Sequence, residues 1–303
     1  MREKLRNGRR LFSCLIFFLV FSLSAEPLVI AHRGGGENFP ENTILAFEKA
    51  LEVGADLLEL DVQVTKDGVL VVYHPNDLKE RTDGKGSMAL YTLEEIKELN
   101  AGYRFKKEEG YPLRSLHLKI PTLKEVLERF PETSIIIDLK SLPKEPLVEA
   151  LIKTISDEEA KRLLFYATEG EVIEALLEAK PDWRSFEKRE VTRQRLLELN
   201  QKGDSSLAVT SNWIGFELVR KMVVTEKLAL GEGVSSLDFY LWSPSVIAYL
   251  KERNPDLFIA LFGINNEEAW EKALILNVDG VYTDNPEKII EAKKKQKVSS
   301  LRG

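Results

Sequence analysis

Seven chemically reactive side chains occupy the ends of short apolar segments that have the composition of β-strands. They are His32, Arg33, Glu59, Asp61, His74, Asp138 and Lys140. Glu59 and Asp61 are two positions apart, so both carboxylates face the same side of a strand. Asp138 and Lys140 share one face for the same reason. Unpaired carboxylates that point into a protein are costly to bury, and a bound divalent cation removes that cost. The pattern predicts an active site built around a divalent cation.

Each of these residues also has a simpler explanation when it is taken alone. A histidine at a strand end often makes structural hydrogen bonds only. Glu59 and Asp61 could form a solvated strand face. Asp138 could pair with Lys140. The placement of all seven residues at strand ends is what favours an active site over these separate explanations.

The elements that must position these residues are strands alternating with helices through residues 26–295. The predicted strands are Leu28–His32, Leu57–Val62, Val69–Tyr73, Ser134–Leu139, Leu163–Ala167, Trp183–Phe186, Leu237–Leu241, Leu257–Phe262 and Gly280–Thr283. Continuous apolar strands between amphipathic helices indicate a parallel sheet covered by helices. About eight strand–helix units fit the size of a single domain. The sequence therefore predicts an α/β fold, a closed eight-stranded parallel (β/α)8 TIM barrel. In a barrel the carboxyl ends of the strands converge on one site, which is where the reactive residues fall.

A doubly wound α/β sheet is the alternative fold. It would require a Gly-rich phosphate loop before the first helix, and Gly34–Gly36 lacks the G-x-G-x-x-G spacing. Residues 187–232 are polar and irregular, and no strand or helix is predicted there. Helix N-caps are predicted at Asn42, Thr43 and Asn285, and His117 is predicted to lie on the surface. Residues 296–303 are predicted to be a charged tail.

Composition excludes several classes of protein. The 303 residues are 44% hydrophobic and 30% charged, and Cys14 is the only cysteine, so the chain is neither a disordered protein nor a disulfide scaffold. The formal charge is −6, which argues against nucleic acid as the main partner because phosphate binding needs a basic surface. No window reaches the roughly 20 apolar residues of a spanning helix, which excludes a polytopic membrane protein.

Residues 1–25 have the layout of a secretory signal peptide. Five basic residues precede the apolar run Leu11–Leu23, and the small residues Ser24 and Ala25 follow it. An uncleaved N-terminal anchor is the alternative, and it is the only contact with a membrane that the sequence suggests. The sequence therefore predicts an exported protein, periplasmic or extracellular, with residues 26–295 as its folded domain.

Four stretches of the sequence carry a resemblance to a known family. They are IAHRGGGENFPENTILAFEKALEVGADLLELDVQVTKDGVLVVYH at 30–74, KIPTLKEVL at 119–127, IIIDLK at 135–140 and NVDGVYTDNP at 277–286. With the HRG, PENT and E-L-D motifs in this order and spacing, the chain resembles the glycerophosphodiester phosphodiesterase family from the first predicted strand to the last.

The resemblance implies an eight-stranded α/β barrel that hydrolyses glycerophosphodiesters to an alcohol and glycerol 3-phosphate. By motif position, it implies that His32 and His74 are the acid/base pair, that Glu59, Asp61 and Asp138 hold Ca²⁺ or Mg²⁺, and that Arg33 and Lys140 contact the phosphate. The implied partner is a small-molecule glycerophosphodiester, and the oligomeric state is left open.

This sequence departs from the family pattern at two positions. Asp138 stands where the family usually has Glu, and Phe262 stands where it often has Trp. Two other functions remain open at this stage. One is phospholipase-type cleavage of phosphoinositide or sphingomyelin-like lipids on the same barrel. The other is non-catalytic binding of phosphate esters.

Overall fold

A computed structural model describes residues 26–140, 143–228 and 231–300 of the chain. The predicted signal segment, residues 1–25, lies outside the described residues, and the predicted tail begins within the last helix. In the described ranges no helix is both long and apolar enough to cross a membrane.

The strands of the described residues are β1 (Leu28–Ala31), β2 (Leu57–Val64), β3 (Leu70–Val72), β4 (Ile135–Leu139), β5 (Leu163–Tyr166), β6 (Trp213–Glu217), β7 (Arg220–Leu228), β8 (Gly231–Phe239), β9 (Phe258–Phe262) and β10 (Gly280–Thr283). Seven of them are parallel and form the wall of the barrel, in the order β5-β4-β2-β1-β10-β9-β6. The strands of the wall follow one another in chain order around the ring, and β1 lies between β2 and β10. This arrangement is that of a TIM barrel, so the predicted fold is confirmed.

Residues 184–187 close the ring between β5 and β6. The Phe165 amide donates to the Arg184 carbonyl at 2.9 Å, and the Phe186 amide donates back to the Phe165 carbonyl at 2.8 Å. On the other side, the Glu187 amide donates to the Trp213 carbonyl at 2.8 Å. The predicted strand Trp183–Phe186 therefore occupies the eighth position, but it pairs with β5 through one bridge at Ser185 instead of a full ladder.

Two predicted wall strands lie outside the barrel. Val69–Tyr73 contains β3, which pairs antiparallel with β2 because the short turn at residues 65–69 leaves no room for a parallel crossover. Leu237–Leu241 overlaps β8, which forms an antiparallel hairpin with β7. The sequence analysis predicted no element in residues 187–232, where the structure has the helix Arg189–Lys202 and the strands β6 and β7. Of these, β6 belongs to the barrel wall. Its central Gly215 weakens the strand pattern, yet a Cβ there would lie 2.6 Å from the Phe262 ring, so the close packing requires glycine.

Helices cover the outside of the wall. Those of the described residues are α1 (Ile44–Val53), α2 (Leu93–Glu98), α3 (Leu123–Arg129), α4 (Lys144–Thr154), α5 (Asp157–Ala160), α6 (Gly170–Ala179), α7 (Arg189–Lys202), α8 (Pro244–Arg253), α9 (Glu267–Leu276) and α10 (Pro286–Ser300). Thr43 caps α1 by accepting from the Ala46 amide, and Asn285 accepts from the Lys288 amide, so both predicted N-caps are confirmed. The surface position of His117 is also confirmed.

The alternation of side chains along a strand decides what enters the barrel. On β2, Leu58, Leu60 and Val62 are buried against the helices, while Glu59 and Asp61 point to the other side, into the barrel. Ile30, Ile136, Leu164 and Ala260 fill the lower part of the interior together with aromatic rings. Glu59 is the register neighbour of Ile136, and Asp138 is that of Tyr166, so the carboxylates begin at the upper edge of the apolar filling.

A buried ion pair stabilises the closing segment, and its removal is a test of the fold. The Glu187 carboxylate accepts from Arg195 at 2.6 Å and from Thr192 at 2.9 Å, and the side chains of Glu187 and Arg195 are 0% and 3% exposed. We expect Glu187→Ala to lower the free energy of unfolding by about 3–5 kcal/mol, measured with denaturant, because it leaves a buried guanidinium unpaired.

Glu158→Ala is the control, because Glu158 pairs with Lys161 on the surface, where its side chain is 81% exposed. This variant should unfold at nearly the parental midpoint. Equal losses in the two variants would contradict a special role of the buried pair.

Candidate active site

Three buried carboxylates converge at the carboxyl ends of β2 and β4. Asp61 and Asp138 are direct neighbours in the parallel register, and Glu59 precedes Asp61 on the same face. One oxygen from each of Glu59, Asp61 and Asp138 lies within 4.8 Å of the other two. The convergence predicted for these three residues is therefore present in the structure.

The donor set fits a divalent cation. The Oδ1 atoms of Asp61 and Asp138 are buried and have no hydrogen-bond partner among the described residues. The pKa of Asp138 is raised to about 8, mainly because the carboxyl is buried; Lys140 opposes this rise, and Asp61 and Glu59 add to it. Burial also raises the pKa of Glu59. Oxygens that are desolvated and mutually repulsive are ligands that a hard cation such as Ca²⁺ or Mg²⁺ stabilises.

Two cationic side chains lie beside the carboxylates. The Lys140 Nζ is 2.5 Å from Asp138 Oδ2 and 3.5 Å from Asp61 Oδ1. The Arg33 Nε is 3.2 Å from Asp61 Oδ2, and the Arg33 backbone N–H donates to Glu59 Oε2 at 2.9 Å. Arg33 has a φ of 54°, a left-handed conformation that is strained for a side chain of this size. The strained turn aims the Arg33 amide at Glu59.

His32 is held between two acids. Its Nδ1 is 2.6 Å from Asp284 Oδ1, and its Nε2 is 4.0 Å from Glu59 Oε2. Burial lowers the pKa of His32, but Glu59 and Asp284 outweigh burial and the net pKa is raised above 6.5. Asp284 in turn accepts from Asn265 Nδ2 at 2.7 Å. Sequence analysis missed Asp284, although it follows the last barrel strand directly and the strand-end rule applied to the other residues would have included it.

His74 lies beside the same cluster but is not among the side chains that line the cavity described below. The pKa of His74 is lowered, mainly by burial. The charge of Asp61 opposes this shift, and the charges of Arg33 and Lys140 add to it. The Gln63 amide holds the backbone of this segment, donating to the Tyr73, His74 and Pro75 carbonyls at 2.9–3.1 Å. The two histidines therefore have opposite pKa shifts within one site.

Asn42 is a site residue and not a helix cap. Its Nδ2 donates to Asp61 Oδ2 at 2.8 Å, and its Oδ1 accepts from the Asp61 backbone amide at 3.2 Å. The cap prediction for Asn42 was wrong because Thr43 already serves α1. The left-handed backbone of Asn42, with a φ of 58°, turns its side chain toward the barrel axis instead.

The site opens into a cavity of about 480 Å³, a typical volume for a small-molecule pocket. One wall carries His32, Arg33, Glu59, Asp138 and Lys140. The opposite wall carries the side chains of Tyr166, Arg189, Glu217, Arg220 and Phe262. Most of this second wall comes from residues 187–232, which the sequence analysis left unassigned. The sequence pattern did not indicate the elements that carry these residues: Arg189 begins α7, Glu217 ends β6 and Arg220 begins β7.

The barrel and its acidic site define an α/β-barrel enzyme, and comparisons with known proteins give the family. The model of the glycerophosphoryl diester phosphodiesterase family matches residues 32–288. A glycerophosphodiester phosphodiesterase of Caldanaerobacter subterraneus subsp. tengcongensis is 31% identical over 274 residues, 89% of this chain and 99% of that protein. The chain belongs to the glycerophosphoryl diester phosphodiesterase family, and it is a phosphoric diester hydrolase.

Solved structures agree with this assignment. The glycerophosphoryl diester phosphodiesterase domain of an uncharacterised Mycobacterium tuberculosis protein has a TM-score of 0.77 and 31% identity, over 88% of this chain and 99% of that chain. An Oleispira antarctica phosphodiesterase, solved in complex with the product sn-glycerol 3-phosphate, has a TM-score of 0.62 and 22% identity, over 89% and 97% of the two chains. The second likeness supports the fold alone.

The opposite shifts of the two histidines predict an order of titration. In metal-free protein we expect His32 to keep its proton to higher pH than His74, measured from the ring proton shifts in NMR. Asp284→Asn removes the negative charge that lies beside Nδ1 of His32, so the pKa of His32 should fall toward that of His74. The ring-proton signal that disappears in the His74→Gln variant is assigned to His74.

Asp256→Asn, an exposed substitution, should leave both titrations where they are. A His32 that titrates below His74 in the parent protein would contradict the pairing with Asp284, as would a His32 pKa unchanged in Asp284→Asn.

Proposed function

We propose that this chain hydrolyses glycerophosphodiesters to an alcohol and glycerol 3-phosphate, with a divalent cation and with His32 and His74 as its proton-transfer groups. The observation that carries the proposal is the convergence of three buried carboxylates with His32, Arg33 and Lys140 at the mouth of the barrel. The relative from Caldanaerobacter, a glycerophosphodiester phosphodiesterase, supports the same reaction class.

Glu59, Asp61 and Asp138 would hold the cation, Ca²⁺ or Mg²⁺. When bound, such a cation polarises the phosphoryl oxygen and stabilises the negative charge that builds in the transition state. Asp138 is one methylene shorter than the usual Glu, and its carboxylate still reaches the group because β4 lies next to β2 in register.

The chain's own residues supply the remaining electrostatic stabilisation. Arg33 and Lys140 place two fixed positive charges beside the carboxylates, where a singly charged phosphodiester would bind. Both side chains are held by contacts within the site, so they need no large reorganisation when negative charge develops on the phosphate.

The different surroundings of the two histidines support different roles for them in the proposed reaction. Glu59 and Asp284 raise the pKa of His32 and make it the stronger base, and Asp284 also orients its ring, so in our proposal His32 accepts the proton of the nucleophile. His74, whose pKa is lowered, is the stronger acid when protonated and donates to the departing oxygen. The proposal leaves the identity of the nucleophile open between water and the neighbouring glycerol hydroxyl.

Release of glycerol 3-phosphate from glycerophosphodiesters tests the function and its metal requirement together. The parent protein should lose this activity in EDTA and regain it on addition of Ca²⁺ or Mg²⁺, followed with a coupled dehydrogenase. In Asp138→Asn, added metal should restore little activity, because one charged ligand is missing. The control Asp256→Asn, an exposed substitution, should lose and regain activity as the parent does. Full activity after metal removal, or cleavage of lipid substrates alone, would contradict the proposal.

The histidine roles are tested with two leaving groups. His32→Ala and His74→Ala should each lower turnover of the natural diester by roughly two to four orders of magnitude. A nitrophenyl diester needs little protonation on departure, so it should largely rescue His74→Ala but not His32→Ala. The surface variant His117→Ala is the control. Rescue of His32→Ala instead would reverse the two roles, and near-parental activity of both variants would overturn the pair.

We also propose that the chain is exported, with residues 1–25 as its signal. The basic residues, the apolar run Leu11–Leu23 and the small residues after it support this. Exported protein should have a new N-terminus at residue 25 or 26 by mass spectrometry, and Leu19→Arg should block export by placing a charge in the apolar run. Full-length chain in the membrane fraction would favour the anchor, and full-length chain in the cytosol alone would contradict export.

A further inference from the structure

The second wall of the cavity carries charged side chains that the proposed reaction does not use. Arg189 begins α7, Glu217 ends β6 and Arg220 begins β7, and all three line the cavity together with Tyr166 of β5. Tyr166 is the register neighbour of Asp138, so this wall begins one strand away from the acidic cluster.

Contacts within the wall fix Arg189 and leave part of Arg220 available. Arg189 donates to the Tyr166 hydroxyl at 3.1 Å and pairs with Glu217 Oε1. Arg220 Nη1 is 3.0 Å from the same Glu217 oxygen. Among the described residues, Nη2 and Nε of Arg220 have no hydrogen-bond partner, and the side chain is 45% exposed. The wall therefore presents unused guanidinium N–H groups to the cavity mouth.

Two guanidinium groups share one carboxylate, so this wall carries one net positive charge. The first wall already has Arg33 and Lys140 beside the place of the phosphodiester, which bears a single negative charge. The surplus positive charge of the second wall is therefore left for a different negative group of the substrate. A cationic head group such as choline would meet two guanidinium groups there, which opposes its binding.

The chemistry of the substrate locates that second negative group. The glycerol half of a glycerophosphodiester carries only hydroxyls, so a further anion must lie on the leaving alcohol. Guanidinium N–H groups bind phosphate and carboxylate oxygens through charge-assisted hydrogen bonds, which are stronger than hydrogen bonds between neutral groups.

We propose that Arg189, Glu217 and Arg220 form a subsite for a second anionic group, a phosphate monoester or a carboxylate, on the leaving alcohol of the diester. Glu217 holds the two guanidinium groups in place, and Arg220 supplies the free donors. The inference rests on the proposed function and specifies its substrate class.

A matched pair of substrates tests the subsite. The first is glycerophosphoglycerol, and the second is the same diester with one further phosphate on the leaving glycerol, so the pair differs by a single anionic group. We expect kcat/KM of the parent to be higher for the phosphorylated member by roughly tenfold or more, the usual effect of a charge-assisted hydrogen bond. Glycerophosphocholine should be the poorest of the three substrates.

Arg220→Gln should reduce the preference for the phosphorylated member by about tenfold, mainly through KM. The control is Lys221→Gln, which removes a positive charge from the next residue of the same hairpin, on its other face. That variant should keep the preference. An equal loss in both variants would mean that only net charge acts and would overturn the subsite, as would a parent protein with no preference between the matched diesters.

The failure of the subsite and the failure of the proposed function give different results. Turnover of both matched diesters at equal rates removes the subsite and leaves the function standing. Hydrolysis of no glycerophosphodiester removes the function and the subsite with it.

Discussion

Three buried carboxylates within 4.8 Å of each other impose a large electrostatic free-energy cost, and the rest of the site is arranged to offset it. Such a cluster is stable only where charge, hydrogen bonds or a cation compensate it. The protein supplies part of that compensation from Arg33, Lys140 and Asn42, each of which contacts a carboxylate directly. Two buried carboxylate oxygens, Asp61 Oδ1 and Asp138 Oδ1, accept no hydrogen bond among the described residues, and they are the atoms that a divalent cation would satisfy.

Local backbone strain serves the same cluster. Arg33 and Asn42 both have left-handed backbones, and the Asn42 amide donates to the Arg33 carbonyl at 2.9 Å, so the two strained residues form one unit. Together they direct a backbone N–H to Glu59 and a side-chain amide to Asp61. Strain of this kind persists when surrounding contacts over-determine the conformation, and it is typical of functional sites.

The barrel separates catalysis from recognition of the leaving group. The residues directly after β1 and β10 and the ends of β2 and β4 carry His32, Asp284 and the three carboxylates, so regular strands position these groups. Arg189, Glu217 and Arg220 lie at the ends of α7, β6 and β7, in the part of the chain between β5 and α8. The proposed specificity therefore resides in the part of the chain that can change without disturbing the strands that hold the cation ligands.

The sequence alone determined the features that depend on period and local order. Alternation along β2 and β4 fixes which carboxylates face inward, and strand–helix alternation gives the barrel, so the predicted fold and the carboxylate cluster are both present in the structure. Other features needed tertiary structure. The strand-end rule places Asp284 at the site, but its pairing with His32, 252 residues away, follows only from the fold. Asn42 likewise reaches Asp61 instead of capping a helix. The second wall and the strand β6 lie in a segment without periodicity, where pairing with distant strands decides the conformation. Contacts between side chains far apart in sequence leave no period or spacing to read, because only the closed barrel brings them together.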